Sequence, residues 1–365
     1  MTAIAALSCG EIPVVIGDLL VTRATVIPGA VPIPALGDAS DFFGGAWAIA
    51  GLKQKVVLVN DDCVIAWAGS WVSARVALHD LREWLGYRVP SADEVVKFFQ
   101  RHTDVKAHGN EFVGWVHEGG YVRQFGYQAE RQYNTRFGTI VAGGSGSFAM
   151  REAAAHAPRI APQFGHANAV DIAQLTGHLF GSMLLRAEFH GGDAAPTIRH
   201  FFGGGYEVAH RTDGRFAKLG DVTFYIWEAA FSGEDLRLSA PQFVLKQDYC
   251  GDFLLIRSVQ VKEDGSGRLT IAEEQRHVIE PMIFAAEPAD LGSRLSNLEL
   301  QSSVSVHCIA VRGTVDPTLA FVVERVGMLD RPNFSVSEGQ GKVEFRIEQQ
   351  FLSRISDQIK GELRR

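Results

Sequence analysis

Residues 1–23 read MTAIAALSCGEIPVVIGDLLVTR. Two apolar runs, Ala3 to Leu7 and Ile12 to Gly17, flank the polar stretch SCGE, a pattern that predicts a β-hairpin. A hydroxyl at Thr2 stands before the first run and a carboxylate at Asp18 after the second. The stretch has no basic n-region and meets Glu11 early, so it is expected to belong to the mature protein and not to a secretory signal. ALSC likewise lacks the charged and apolar parts that precede a lipoprotein cleavage site.

Beyond the hairpin, 365 residues at 46% hydrophobic content are enough for two domains with substantial cores. A net charge of -7 argues against a general nucleic-acid binder. No apolar run is long enough to suggest a membrane span. Cys9, Cys63, Cys250 and Cys308 are scattered without paired zinc spacing, as expected of buried thiols in the cytoplasm. HGGDAAPTIRH (190–200) reads as a polar loop; no metal and no cofactor is expected.

Elements come in blocks. Residues 24–52 are apolar but broken by Pro28, Pro32 and Pro34, which cannot donate to a ladder, so this is read as a loop. KVVLVN and CVIAWAG follow as strands joined at Asn60-Asp61-Asp62. Ala74, Leu78, Leu81 and Leu85 then share one helical face, and Ser91 with Glu94 forms a capping-box pattern for a second helix. Strands are expected at EFVGWVHE, YVRQFGY and TIVAGG, helices over 146–156 and 169–188, and strands at GYEVAHR and DVTFYIWEAAF. This order suggests an α+β body with two sheets face to face and helices outside, a four-layer α/β/β/α arrangement over 1–231. Residues 232–365 alternate at period two in several runs and end in a helix, so a separate, mainly β domain is expected there.

The body resembles the N-terminal nucleophile (Ntn) hydrolases, in the branch of the proteasome β-subunit and the bacterial HslV protease. Asp18 lies sixteen positions after Thr2, inside VVIGDLLVT, where the family has an apolar strand, Asp, two variable residues, a small residue and Thr. Lys55 opens KVVLVNDDCVIAWAGS and Gly69 lies fourteen positions on, matching the family interval. GGSGSFAMREAAAH matches its GSG turn before a helix.

The resemblance implies a threonine-type hydrolase that cleaves peptide or amide bonds. Thr2 would be the nucleophile once Met1 is removed, with its own α-amine as base. Lys55 would tune it, Asp18 would hold Lys55, Gly69 would supply an oxyanion N–H, and Ser145 would be the active-site serine. Thr22 would bind the substrate backbone, and Trp67 and Trp71 would line the first specificity pocket. A homo-oligomer is expected; the rival readings are a catalytically weak assembly subunit, with the C-terminal domain as its docking surface for a protein partner, and a small-molecule amidohydrolase. The family's second aspartate falls at Ser182, where no carboxylate stands; Glu188 or Asp193 could replace it only with a shifted backbone. GGSGSFA also fits a dinucleotide fingerprint, but no second strand ending in an acid follows, and Cys9 as nucleophile would spoil the interval to Asp18.

Overall fold

The computed structural model describes residues 2–9, 12–24, 31–38, 43, 47–135, 138–156, 169–192, 195–233, 235–283, 285–311, 318–325, 333–339 and 341–363. Met1, the Gly10-Glu11 turn and Asp193 lie outside them. The fold is mixed α+β and divides into two units, 1–219 with 279–286, and 220–278 with 287–365. The division therefore precedes the expected 231/232, for a reason visible in the strand Val222–Ser232: it pairs with strands of the second unit.

In the first unit, β1 (Ile4–Cys9) and β2 (Ile12–Asp18) form the expected hairpin, with Ile4 opposite Gly17. The 24–52 stretch is not wholly loop. After β3 (Leu20–Arg23) come the paired two-residue strands β4 (Pro32–Ile33) and β5 (Gly37–Asp38), then β6 (Ala48–Leu52), which pairs antiparallel with β3. Next are β7 (Val56–Asn60), β8 (Cys63–Ala68) and the helices α1 (Trp71–Leu85), α2 (Ala92–Arg101) and α3 (Thr103–His108). The Ser91–Glu94 capping box of α2 is formed in both directions. β9 (Glu111–Glu118), β10 (Tyr121–Tyr127), β11 (Glu130–Thr135) and β12 (Gly138–Gly143) lead to α4 (Ser147–His156) and α5 (Ala169–Gly191). The short α6 (Pro196–Arg199), β13 (Tyr206–Thr212) and β14 (Arg215–Lys218) complete the series.

One sheet has six strands in the order β11-β12-β1-β2-β13-β14, the other four in the order β10-β9-β8-β7. The period-two alternation of β8 divides its side chains between two cores. Val64, Ala66 and Ala68 join Ile4, Ala6 and Val15 of the six-stranded sheet. Cys63, Ile65 and Trp67 face the other way, onto Ala74, Leu78 and Leu81 of α1, Val95 and Phe99 of α2, and Met282 and Ile283. α5 lies close on the six-stranded sheet at Gly177, where a Cβ would come 2.5 Å from Val208 and 3.3 Å from Val14.

The second unit is built on one nine-stranded sheet. Its strands are β15 (Val222–Ser232), β16 (Asp235–Leu238), β17 (Phe243–Cys250), β18 (Phe253–Glu263) and β19 (Leu269–Ile279). After α7 (Leu291–Ser296) come β20 (Val304–Val311), β21 (Thr318–Arg325), β22 (Phe334–Gly339) and β23 (Lys342–Ile347). The terminal α8 (Gln349–Leu363) sets Phe351, Ile355 and Ile359, one turn apart, onto Tyr225, Trp227 and Val322.

Candidate active site

Thr2, Asp18 and Lys55 meet. Asp18 ends β2 opposite the start of β1, so its Oδ1 accepts the Ala3 N–H at 3.0 Å and its own N–H donates to Ala3 O at 3.0 Å. Thr2 is thereby held at the sheet end. Its carbonyl accepts the Gly146 N–H at 3.0 Å, and a Cβ on Gly144 would lie 2.0 Å from that oxygen. Only glycine fits there, which accounts for the residues flanking Ser145.

Lys55 precedes β7 and crosses to the hairpin over Gly17, where a Cβ would stand 2.9 Å from its own. Its Nζ lies 2.5 Å from Thr2 Oγ1, 2.8 Å from Leu20 O and 3.4 Å from Asp18 Oδ1. The Trp67 ring centroid is 4.9 Å from the same nitrogen. Thr2 is 1% exposed, and Asp18 and Lys55 are 0% exposed. Burial pushes the Lys55 amine down, opposed by Asp18 and Glu207. Burial pushes Asp18 up, opposed by Lys55 and the N–H groups of Ala3 and Gly203. Its backbone contacts, from Ala3, Leu20 and Gly203, all donate to it, which makes Asp18 the ionised partner.

Two carboxylates complete the support: Glu207, which sequence reasoning did not name, and Glu188, named there only as a replacement for the family's second aspartate. Glu207, fully enclosed on β13, accepts the N–H groups of Lys55 (2.7 Å) and Val56 (3.1 Å) and pairs with Lys218 at 2.8 Å. It fixes the backbone from which Lys55 springs. Glu188, near the end of α5, accepts the Gly204 N–H at 3.1 and 3.2 Å while the adjacent Gly203 N–H reaches Asp18 at 2.9 Å. Burial raises Glu188 to about 8. The signal for both was an acid inside an apolar run, LLRAEF and GYEVAH.

Gly69 takes φ +100° in the turn between β8 and α1. Asn110 Nδ2 donates to Ala68 O (3.1 Å) and Ser70 O (2.9 Å), on either side of it. Because the Ala68–Gly69 peptide is planar and trans, tying its carbonyl to Asn110 turns the Gly69 N–H the opposite way. Ser145 is placed in the turn around Thr2, but its hydroxyl donates to His200 O at 2.5 Å. Thr22 sits on β3, its buried Oγ1 without a hydrogen-bond partner among the described residues.

Trp67 is 0% exposed, with its indole N–H on Gln54 O at 3.1 Å, so it is a core residue and not the wall of an open pocket. Trp71 is partly buried beside Lys53 and Arg75. Ser182 turns its hydroxyl back to Leu179 O within α5 at 2.8 Å. Cys9 is buried and its thiol is pushed up to about 11 by burial, against a nucleophilic role. Among the described residues no group of three or more His, Cys, Asp or Glu is arranged to hold a metal, and no helix is long and apolar enough to cross a membrane. No family model and no curated protein matches the chain.

Proposed function

We propose that the chain is a threonine-type Ntn hydrolase of the proteasome-like branch, a four-layer α/β/β/α body carrying a second, β-rich unit. One observation carries this reading: Lys55 Nζ lies 2.5 Å from Thr2 Oγ1 and 3.4 Å from Asp18 Oδ1 in a water-excluded cluster. An ammonium donating to the Thr2 hydroxyl would also hold the neighbouring α-amine neutral by like-charge repulsion, leaving that amine able to receive the hydroxyl's proton.

In this mechanism Met1 is removed and Thr2 Oγ1 attacks the carbonyl carbon of a peptide or other amide. Its proton passes to the Thr2 α-amine. The oxyanion is met by the Gly69 N–H, a contact that contributes roughly 10²–10³ in rate. Collapse breaks the C–N bond, the leaving amine takes the proton, and the acyl group remains as an ester on Thr2. Water, deprotonated by the same base, then cleaves the ester and restores the hydroxyl. β3, paired with β6 along one edge, would align substrate backbone at Thr22. The chain would work as a cytoplasmic homo-oligomer with its second unit available to a protein partner.

The 1% exposure of Thr2 favours a second reading, a catalytically weak subunit whose nucleophile stays covered. Intact mass and a β-lactone probe separate the two. The first reading expects loss of Met1 and one probe adduct per chain, absent in Thr2→Ala. Retained Met1, or equal labelling of both proteins, rejects it.

A further inference from the structure

We propose that Glu188 is a positioning residue of this site: by taking the Gly204 N–H it holds the turn whose Gly203 N–H fixes Asp18, and so keeps Lys55 against Thr2. The inference rests on the Thr2 reading for its catalytic consequence, but not for the coupling itself.

The turn is Gly203-Gly204-Gly205, between α6 and β13. Consecutive N–H groups serve different carboxyls: Gly203 donates to Asp18 Oδ2 at 2.9 Å, Gly204 to Glu188 at 3.1 and 3.2 Å. A Cβ on Gly203 would stand 2.1 Å from Glu188 Oε2, so the carboxyl is seated directly against the turn. The Gly203 carbonyl faces the other way and accepts the N–H groups of Leu19 (3.0 Å) and Leu20 (2.9 Å), directly after Asp18. Displacing this turn therefore displaces Asp18 through both backbone and side chain. Thr197 Oγ1, at 3.5 Å, is the other polar group on Glu188.

Among the described residues, the titratable groups with a charge interaction at this turn are Asp18 from β2, Lys55 through Asp18, and Tyr206 from β13. Tyr206 is opposite Asp18 in the ladder, and its buried hydroxyl has no hydrogen-bond partner among the described residues. Two ionised carboxylates on adjacent N–H groups with Lys55 as their cation would repel; the arrangement is stable with Asp18 charged and Glu188 protonated. Losing the Glu188 proton loosens the Gly203 contact and holds Lys55 more firmly as ammonium.

The test combines the full-length protein, Glu188→Gln and Glu188→Ala. In the ¹⁵N-glycine-labelled protein the Gly203 amide resonance should titrate near pH 8 in wild type and stay flat in Glu188→Gln. β-Lactone labelling of Thr2 should slow above pH 8 in wild type, not in Glu188→Gln, and be at least tenfold slower throughout in Glu188→Ala. A flat Gly203 amide in wild type overturns the proposal, whether or not Thr2 reacts. Where wild type is labelled, a Glu188→Gln labelling profile identical to wild type overturns it too. Absence of Thr2 labelling in wild type, with the amide titrating as expected, rejects the hydrolase reading and leaves the coupling supported.

Discussion

Lys55 is a cation enclosed from water, and the groups around it decide what its removal costs. Lys55→Met leaves Asp18 charged in a site with no exposed surface, so it should destabilise the protein by about 3–5 kcal/mol. Asp18→Asn with Lys55→Met should cost at least about 1 kcal/mol less than the two single changes added together, because no buried charge is then left alone. Urea titration of the four proteins at pH 7 measures this; strictly additive losses would show that the two side chains do not form a pair. At this scale the sequence was informative where identity and interval coincide. Thr2, Asp18 and Lys55 were legible because a hairpin returns Asp18 beside Thr2. Glu188 was not, because it reaches the site through a turn: the Gly203-Gly204 contact depends on backbone direction, which no spacing encodes. Ser145 was found in its expected place but its hydroxyl was taken by His200 O, a partner fifty-five positions away.

Between β8 and α1 the chain makes a turn that two devices stabilise. Ser70 caps α1 by accepting the Ser73 N–H, and Asn110 ties down the carbonyls of Ala68 and Ser70. Asn110→Ala leaves those carbonyls without that donor, an expected loss of about 1–3 kcal/mol, and frees the Gly69 peptide to rotate. Thr2 labelling should fall by about tenfold or more if the Gly69 N–H meets the oxyanion. Lower stability in urea with an unchanged labelling rate would leave Asn110 a purely structural clamp. Elements with regular patterns were readable beforehand: β9 and β10 have the limits that EFVGWVHE and YVRQFGY suggest. β11 was not, since ERQYNT has no apolar alternation and is held as an edge strand by its neighbour β12. β6 was hidden in the Pro- and Gly-rich stretch and pairs, across that long excursion, with β3 just before it.

On the scale of the whole molecule, two units share one chain in a discontinuous order. The change of character expected at 232 came from strand alternation, but β15 looks the same in either body; its parallel partner β20, some eighty positions on, assigns it to the second. Residues 279–286 belong to the first unit, where Gln54 Nε2 donates to Ile279 O at 2.8 Å and Met282 and Ile283 join the α1–α3 core. Met282→Ala with Ile283→Ala in the full chain should cost several kcal/mol there, at about 2–5 kcal/mol for each large core side chain removed. Hydrogen exchange should show α1 amides losing protection while β18 amides keep theirs; equal loss in both would mean that the two units unfold as one. The same segment imposes a timetable on synthesis. Thr2, Asp18 and Lys55 leave the ribosome early, yet the core that seats Trp67 behind Lys55 lacks Met282 and Ile283 until all of Gly220–Val278 has been made. A nascent chain thus carries Thr2, Asp18 and Lys55 before it carries the residues that finish the core behind them, and that support is complete only once Gly220–Val278 has been translated.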